Sequence, residues 1–226
     1  MTHPRMNRQA GLTLIELLVA ISIASVLSTM IIGTWISLTQ SYSHTSTIAR
    51  QIEIAREGLS RMSREVRDAQ SPMAGQAGGW GTGRNAILLA NWKEIQYFTT
   101  FNVAGNNDPA AAPKLIRYQL VYDAALKSDT LIRTSSTDLT FGGADDERTI
   151  VTHGVNTLRA VPVFRYTYTT DSGALLTTGW MQSVPAALLR NIITVQIDLL
   201  VDLNPGRSPE YSELKITCQP RNLRGL

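Results

Sequence analysis

The chain has 226 residues, 43% hydrophobic and 17% charged, a length that suits one domain or one domain with an appendage. Its net charge of +3, from 21 basic and 18 acidic residues, is too small for a dedicated nucleic-acid binder. A lone cysteine, Cys218, excludes an intrachain disulfide and any multi-cysteine metal cage. The charge is unevenly spread, with no Asp, Glu, Lys or Arg between Glu16 and Arg50. The first eleven residues are polar and carry Arg5 and Arg8 without an acid. From Leu17 to Thr39 there follow 23 uncharged residues, about 35 Å as a helix, enough for a hydrocarbon core of about 30 Å. Positive charge ahead of the span, and none close behind it, predicts a cytoplasmic N-terminus with the body of the chain outside. The rival is an ordinary cleaved secretory signal with Ser22-Ile23-Ala24 as its cutting site. Against it, the apolar run continues well past Ala24 and contains a carboxylate, Glu16. A lone charge in a membrane span costs about 2.5–3.5 kcal/mol on insertion scales, so it points to a partner or a function.

The segment Gly11-Leu12-Thr13-Leu14-Ile15-Glu16-Leu17-Leu18-Val19-Ala20 resembles the processing site of type IV prepilins and type II secretion pseudopilins. The resemblance implies that a prepilin peptidase cuts between Gly11 and Leu12, beside Thr13, and methylates the new amine on Leu12. Most members carry Phe where this chain has Leu12. It also implies that Glu16 serves subunit assembly, by neutralising the terminal amine of a neighbour in the filament. An amine and a carboxylate are each costly alone in lipid and tolerable as a pair. The alternative is a Glu16 satisfied within its own helix or snorkelling to the interface. Gly33 stands where many members have a helix-breaking proline. Glycine there permits either local melting, at about 1 kcal/mol against alanine, or close helix packing.

Beyond the span, Ile48, Ile52, Ala55, Leu59, Met62, Val66 and Ala69 recur at alternating spacings of 4 and 3, one apolar stripe on one helical face. Glu57 with Arg61, and Arg64 with Asp68, are opposite charges four apart. Ser71-Pro72 biases the chain out of helix, so one helix is expected from Leu12 to about Gln70. Packing on a sheet is the expected use of the stripe, with a coiled coil as the alternative. Arg50, Arg56, Arg61, Arg64 and Arg67 are interleaved with Glu53, Glu57, Glu65 and Asp68. That mixture reads as a solvated face rather than a phosphate-binding patch.

After Pro72 the period changes. Met73 to Asn85 is a Gly-rich loop that lacks the Gly-Lys-Ser/Thr of a phosphate loop. Strands are expected near 86–90, 94–101, 115–122, 130–134, 148–152, 161–169, 174–178, 191–203 and 211–218, with an exposed loop from Asn102 to Pro113. Ile193, Val195, Ile197, Leu199, Val201 and Leu203 alternate with Thr194, Gln196, Asp198, Leu200 and Asp202. This predicts one buried and one mostly wet face in an antiparallel sheet. Asp171-Ser172-Gly173 between two runs predicts a hairpin. The segments IRYQLVYDAALKSDTLIRT, VPVFRYTYTTDSGAL and VPAALLRNIITVQIDLLVD resemble J-type minor pseudopilins of type II secretion, and more broadly the W-type minor pilins.

Catalytic groupings are sparse. Any Ser-His-Asp or Cys-His site would have to use His153, and no nucleophile-elbow motif accompanies it. Cys218 is expected to be a small buried hydrophobe. Asp145, Asp146 and Glu147 form an acidic loop without EF-hand spacing, at most a weak metal candidate. No cofactor is expected. The fold expected is α+β and pilin-like: a leader over 1–11, a membrane and filament-core helix over 12–39, an amphipathic continuation over 40–70, and an antiparallel β domain over 71–226. The resemblance implies a non-enzymatic minor pseudopilin, near the tip of a type II secretion pseudopilus, that helps initiate assembly and export. Its partners would be prepilin peptidase, minor and major pseudopilins through the N-terminal helix, the bacterial inner membrane and secreted substrate, with no nucleic acid. A minor pilin of a type IV pilus and a membrane-anchored periplasmic enzyme or binding domain are the alternatives.

Overall fold

No proline interrupts the sequence between Pro4 and Pro72, and helix α1 (Leu14–Arg67) runs through 54 residues. The computed structural model describes residues 13–71, 85–99, 114–137, 141, 145–202 and 211–220. The Gly-rich segment from Met73 and the loop from Asn102 to Pro113 fall almost wholly outside these residues. The chain divides into two compact units, Met1–Ala49 and Arg50–Leu226.

In the first unit, α1 is long and apolar enough to cross a membrane, and its large apolar side chains are exposed. Lipid offers no partner for a hydroxyl, so each must be satisfied internally. Ser22 donates to the Leu18 carbonyl (2.8 Å), Thr29 to Ser25 (2.8 Å), Thr34 to Met30 (2.9 Å) and Thr39 to Trp35 (2.9 Å). These bonds back onto the preceding turn let the span carry hydroxyls without stranding them. The helix is unbroken at Gly33, where nothing lies within 4 Å of the position a β-carbon would take.

In the second unit the helical stripe does what its spacing predicts. Ala55, Leu59, Met62, Val66 and Ala69 are buried and join one core with the sheet. Gly58 lets the helix approach closely: a β-carbon there would stand 2.5 Å from Ile150 Cγ2. The helix stops at Arg67, short of the expected Gln70. Ala69 instead bridges Thr99, and the Gln70 N–H donates to the Phe98 carbonyl (3.0 Å).

The strands are β1 (Ile87–Ala90), β2 (Glu94–Thr99), β3 (Lys114–Asp123), β4 (Ser128–Ser136) and β5 (Asp146–Gly154), then β6 (Phe164–Thr169), β7 (Leu175–Thr177), β8 (Ile192–Val201) and β9 (Ser212–Cys218). All pairings are antiparallel, in the order β1-β2-β3-β4-β5-β8-β6-β7, with β9 on β8. The architecture is α+β and pilin-like, a long N-terminal helix followed by a curled antiparallel sheet. The expected hairpin closes β6 onto β7: Thr170 N–H donates to Ala174 (2.9 Å), and Gly173 takes φ +82°. That is a left-handed conformation which glycine adopts without a β-carbon penalty.

Strand β8 corrects one expectation. Val195, Ile197, Leu199 and Val201 enter the core as the alternation requires, but Asp198, Leu200 and Asp202 are buried as well. The segment after β5 returns onto the backbone of this strand. Asn156 donates through Nδ2 to the Asp198 carbonyl (2.8 Å) and accepts the Leu200 N–H on Oδ1 (2.9 Å), so its amide stands in for a strand where β5 has left the ladder. Asp198 is matched by Gln196 Nε2 (2.7 Å), with Arg165 at 3.5 Å and Lys215 at 4.0 Å.

Candidate functional site

Two carboxylates in α1 sit where carboxylates are expensive, one in each unit. Glu16 lies in the first turn. Its Oε2 accepts the Thr13 N–H (2.9 Å) and the Thr13 hydroxyl (3.0 Å), and Thr13 Oγ1 accepts the Glu16 N–H (3.3 Å). This is a capping box, in which the residue before the helix and the third residue inside it satisfy each other's orphan groups. The negative carboxylate also sits at the positive end of the helix dipole. In the single chain, then, Glu16 is satisfied by its own helix. Gly11 and Leu12 lie outside the described residues.

Glu65 is the second, and it departs from the solvated face that Arg50, Glu53, Arg56, Glu57, Arg64 and Arg67 keep. Its residue is 1% exposed. Oε2 accepts from Tyr118 OH (2.8 Å), Arg133 Nε (3.1 Å) and Tyr97 OH (3.3 Å), while Oε1 accepts from Arg61 Nε (3.0 Å). Tyr118 and Arg133 are cross-strand partners, and the Tyr97 and Tyr118 rings stack 6.4 Å apart. Helix α1 is thereby fastened to β2, β3 and β4 through one side chain. Arg61 accordingly pairs with Glu65, four residues on, and not with Glu57 as the spacing suggests. Burial, and then the Glu65 charge, push both tyrosine hydroxyls well above their ordinary range and keep them as donors. Burial would lower the Arg133 guanidinium, but Glu65 and the tyrosines outweigh it and hold it raised. Both oxygens of Glu65 are engaged, so the cluster is a fastener rather than a base.

The remaining sequence candidates are placed apart from these. The acidic stretch is not a loop: Asp146 and Glu147 open β5, and Asp146 pairs with Arg148 (3.1 Å). Among the described residues no group of His, Cys, Asp and Glu is arranged to hold a metal ion. His153 lies near the end of β5 with φ 60°. Cys218 is buried, its Sγ donates to the Val195 carbonyl (3.2 Å), and burial pushes its thiol up to about 12.

Asp129 is the acid that sequence reasoning passes over. It is buried at the start of β4, where Oδ2 accepts the Thr157 N–H (2.8 Å) and Oδ1 has no partner among the described residues. Burial raises its pKa above the ordinary carboxylate value. The folded state therefore binds the proton more tightly than the unfolded one, so this group's contribution is greatest in acid and falls as pH rises through the raised value. Asp129→Asn is expected to melt no lower than wild type at pH 7, with any gain vanishing near pH 3.5. Calorimetry of the full chain in detergent at the two pH values checks this, and a clearly lower neutral melting temperature would contradict it.

Residues 6–32 match the prokaryotic N-terminal methylation motif. This is a prepilin-like N-terminus. The matched stretch contains the Gly11–Leu12 junction, Thr13, Glu16 and the first part of the apolar span. Such a motif implies processing by a prepilin peptidase and assembly into pilus-like filaments. None of the curated proteins compared with the chain matches it.

Proposed function

We propose that the protein is a J-type minor pseudopilin of a type II secretion pseudopilus, a structural subunit rather than an enzyme. The methylation motif over residues 6–32, which overlaps the start of a helix of 54 residues, supports the prepilin-like part of this reading, and the resemblance of the strand segments to J-type pseudopilins adds the secretion role. On it, prepilin peptidase removes residues 1–11 and methylates Leu12. Leu12 to Thr39 then holds the subunit in the inner membrane, N-terminus cytoplasmic, and later packs in the filament core. Residues 40–67 continue the helix to the β domain, which stands outside the membrane near the filament tip. There it joins other minor pseudopilins in initiating assembly and meets secreted substrate. The Glu65 fastener supports such a role, because a load carried along α1 passes directly into three strands.

Gly11→Val tests the processing step. A branched β-carbon at the cut obstructs the peptidase, so the variant keeps its leader, whereas the wild-type chain begins at Leu12. Mass spectrometry of the N-terminus, in a host with prepilin peptidase, reads both. A wild-type N-terminus at Ser25, or an uncut Met1, would refute the reading. Deleting the gene and assaying export against pilus-dependent motility separates the machines. Intact export with lost motility would replace the secretion role by a pilus one.

A further inference from the structure

A sheet edge presents a row of N–H and C=O groups that another strand satisfies, and folded proteins usually cover or shorten such edges. Two edges here are treated that way. At the end of β1 and just beyond it, Val184 N–H donates to the Ala90 carbonyl (2.8 Å), Trp92 N–H to Gln182 (3.1 Å), and Asn91 bridges Ser183. Strand β7 is three residues long. Strand β9 has seven residues and, among the described residues, pairs with β8 alone.

The backbone direction of β8 decides which groups of β9 remain open. Asp198 and Asp202 send their N–H groups away from β9, to Val163 (2.9 Å) and His153 (3.0 Å), and Leu200 sends its own to Asn156. The odd-numbered residues of β8 therefore face β9, where Ser212, Leu214, Ile216 and Cys218 answer them in register. The N–H and C=O groups of Glu213, Lys215 and Thr217 point outward.

We infer that β9 is a strand-addition site for a second copy of this chain, paired antiparallel about Leu214. Outward-facing residues must oppose outward-facing residues, which restricts the register. Centring on Leu214 sets Glu213 against the partner's Lys215 and Lys215 against the partner's Glu213, with hydrogen bonds exchanged at both pairs. Centring on Lys215 would stack the two lysines, and centring on Glu213 the two glutamates, which is unfavourable directly across a ladder. The chosen register also brings the two Leu214 side chains together. Each lies partly buried beside a groove of about 300 Å³ between α1 and β9, lined by Arg56, Leu59 and Ser60. The contact is self-complementary, as a two-fold interface requires. A two-fold axis normal to the sheet turns the partner's α1 the opposite way. The pair is thus a state outside any filament of co-directed subunits, and it stands independently of the pseudopilin reading.

The test uses the full-length chain in detergent, followed by sedimentation over a range of concentrations. Wild type dimerises. Glu213→Lys turns both attractive pairs repulsive and weakens the dimer about tenfold or more. Lys215→Glu does the same alone, and mixing the two variants restores a heterodimer of wild-type affinity. If Lys215→Glu melts early, having lost its approach to Asp198, Glu213→Lys alone decides. A wild-type chain that stays monomeric overturns the inference. So does a Glu213→Lys chain that dimerises as tightly as wild type, since the contact would then lie elsewhere.

Discussion

Glu65→Ala is expected to destabilise the β domain by about 3–5 kcal/mol, the range for breaking a buried ion pair from one side. The size follows from what the substitution leaves behind. Arg133 remains buried and charged with no acceptor for Nε, and its Nη1 already lacks a partner among the described residues. The Tyr97 and Tyr118 hydroxyls, both fully shut from water, lose the oxygen they share. A buried donor without an acceptor costs about 1–3 kcal/mol, so the losses are of one sign. Glu65→Gln keeps an acceptor but sets an amide N–H₂ among cationic donors, and should fall between Ala and wild type. Chemical denaturation followed by tyrosine fluorescence measures the order. A denaturation midpoint for Glu65→Ala equal to wild type would mean that α1 is held by its apolar stripe alone.

The stripe itself was open to reading, because its spacing is a local property. So were the strands, since alternation and turn residues act within a few positions. What escapes local reading is cover brought from far along the chain. Asp198 and Leu200 look wet in sequence, yet Asn156 returns onto their backbone and Arg165 and Lys215 approach the Asp198 carboxylate. Glu65 is a similar case with a faint local signal. It sits three residues after Met62 and four before Ala69, inside the buried arc, and Gly58, where the helix comes up against Ile150, precedes it. An acid in that arc calls for donors, yet nothing in the strand sequences marks Tyr97, Tyr118 and Arg133 as convergent. Their meeting depends on the β2–β3–β4 register. At the N-terminus the processing motif is legible because it is linear. Its Thr-Leu-Ile-Glu spacing carries a second meaning, the capping box, which the glycine and the apolar run obscure.

That second meaning sharpens what Glu16→Ala can reveal. On the assembly role proposed for Glu16, its carboxylate leaves Thr13 for the terminal amine of a neighbouring subunit within the membrane. The exchange is reasonable because Thr13 offers two neutral hydrogen bonds and the amine offers a full opposite charge. Glu16→Ala then has two opposed effects. It removes a carboxylate from an apolar span, so insertion and processing proceed at least as well as in wild type. It also leaves a neighbour's amine unmatched in low dielectric, at a cost of about 3–5 kcal/mol to assembly. Thr13→Ala is the control, since it loses the 3.0 Å hydroxyl bond but keeps the carboxylate. It should weaken the cap by about 0.5–2 kcal/mol and leave assembly intact. Crosslinking to the other subunits, and export rescue in a deletion strain, read the assembly step. Mass spectrometry of the N-terminus reads processing in the same cells. If the capping box were the whole role of Glu16, the two variants would behave alike and both would assemble. Full assembly by Glu16→Ala would remove the residue from the interface.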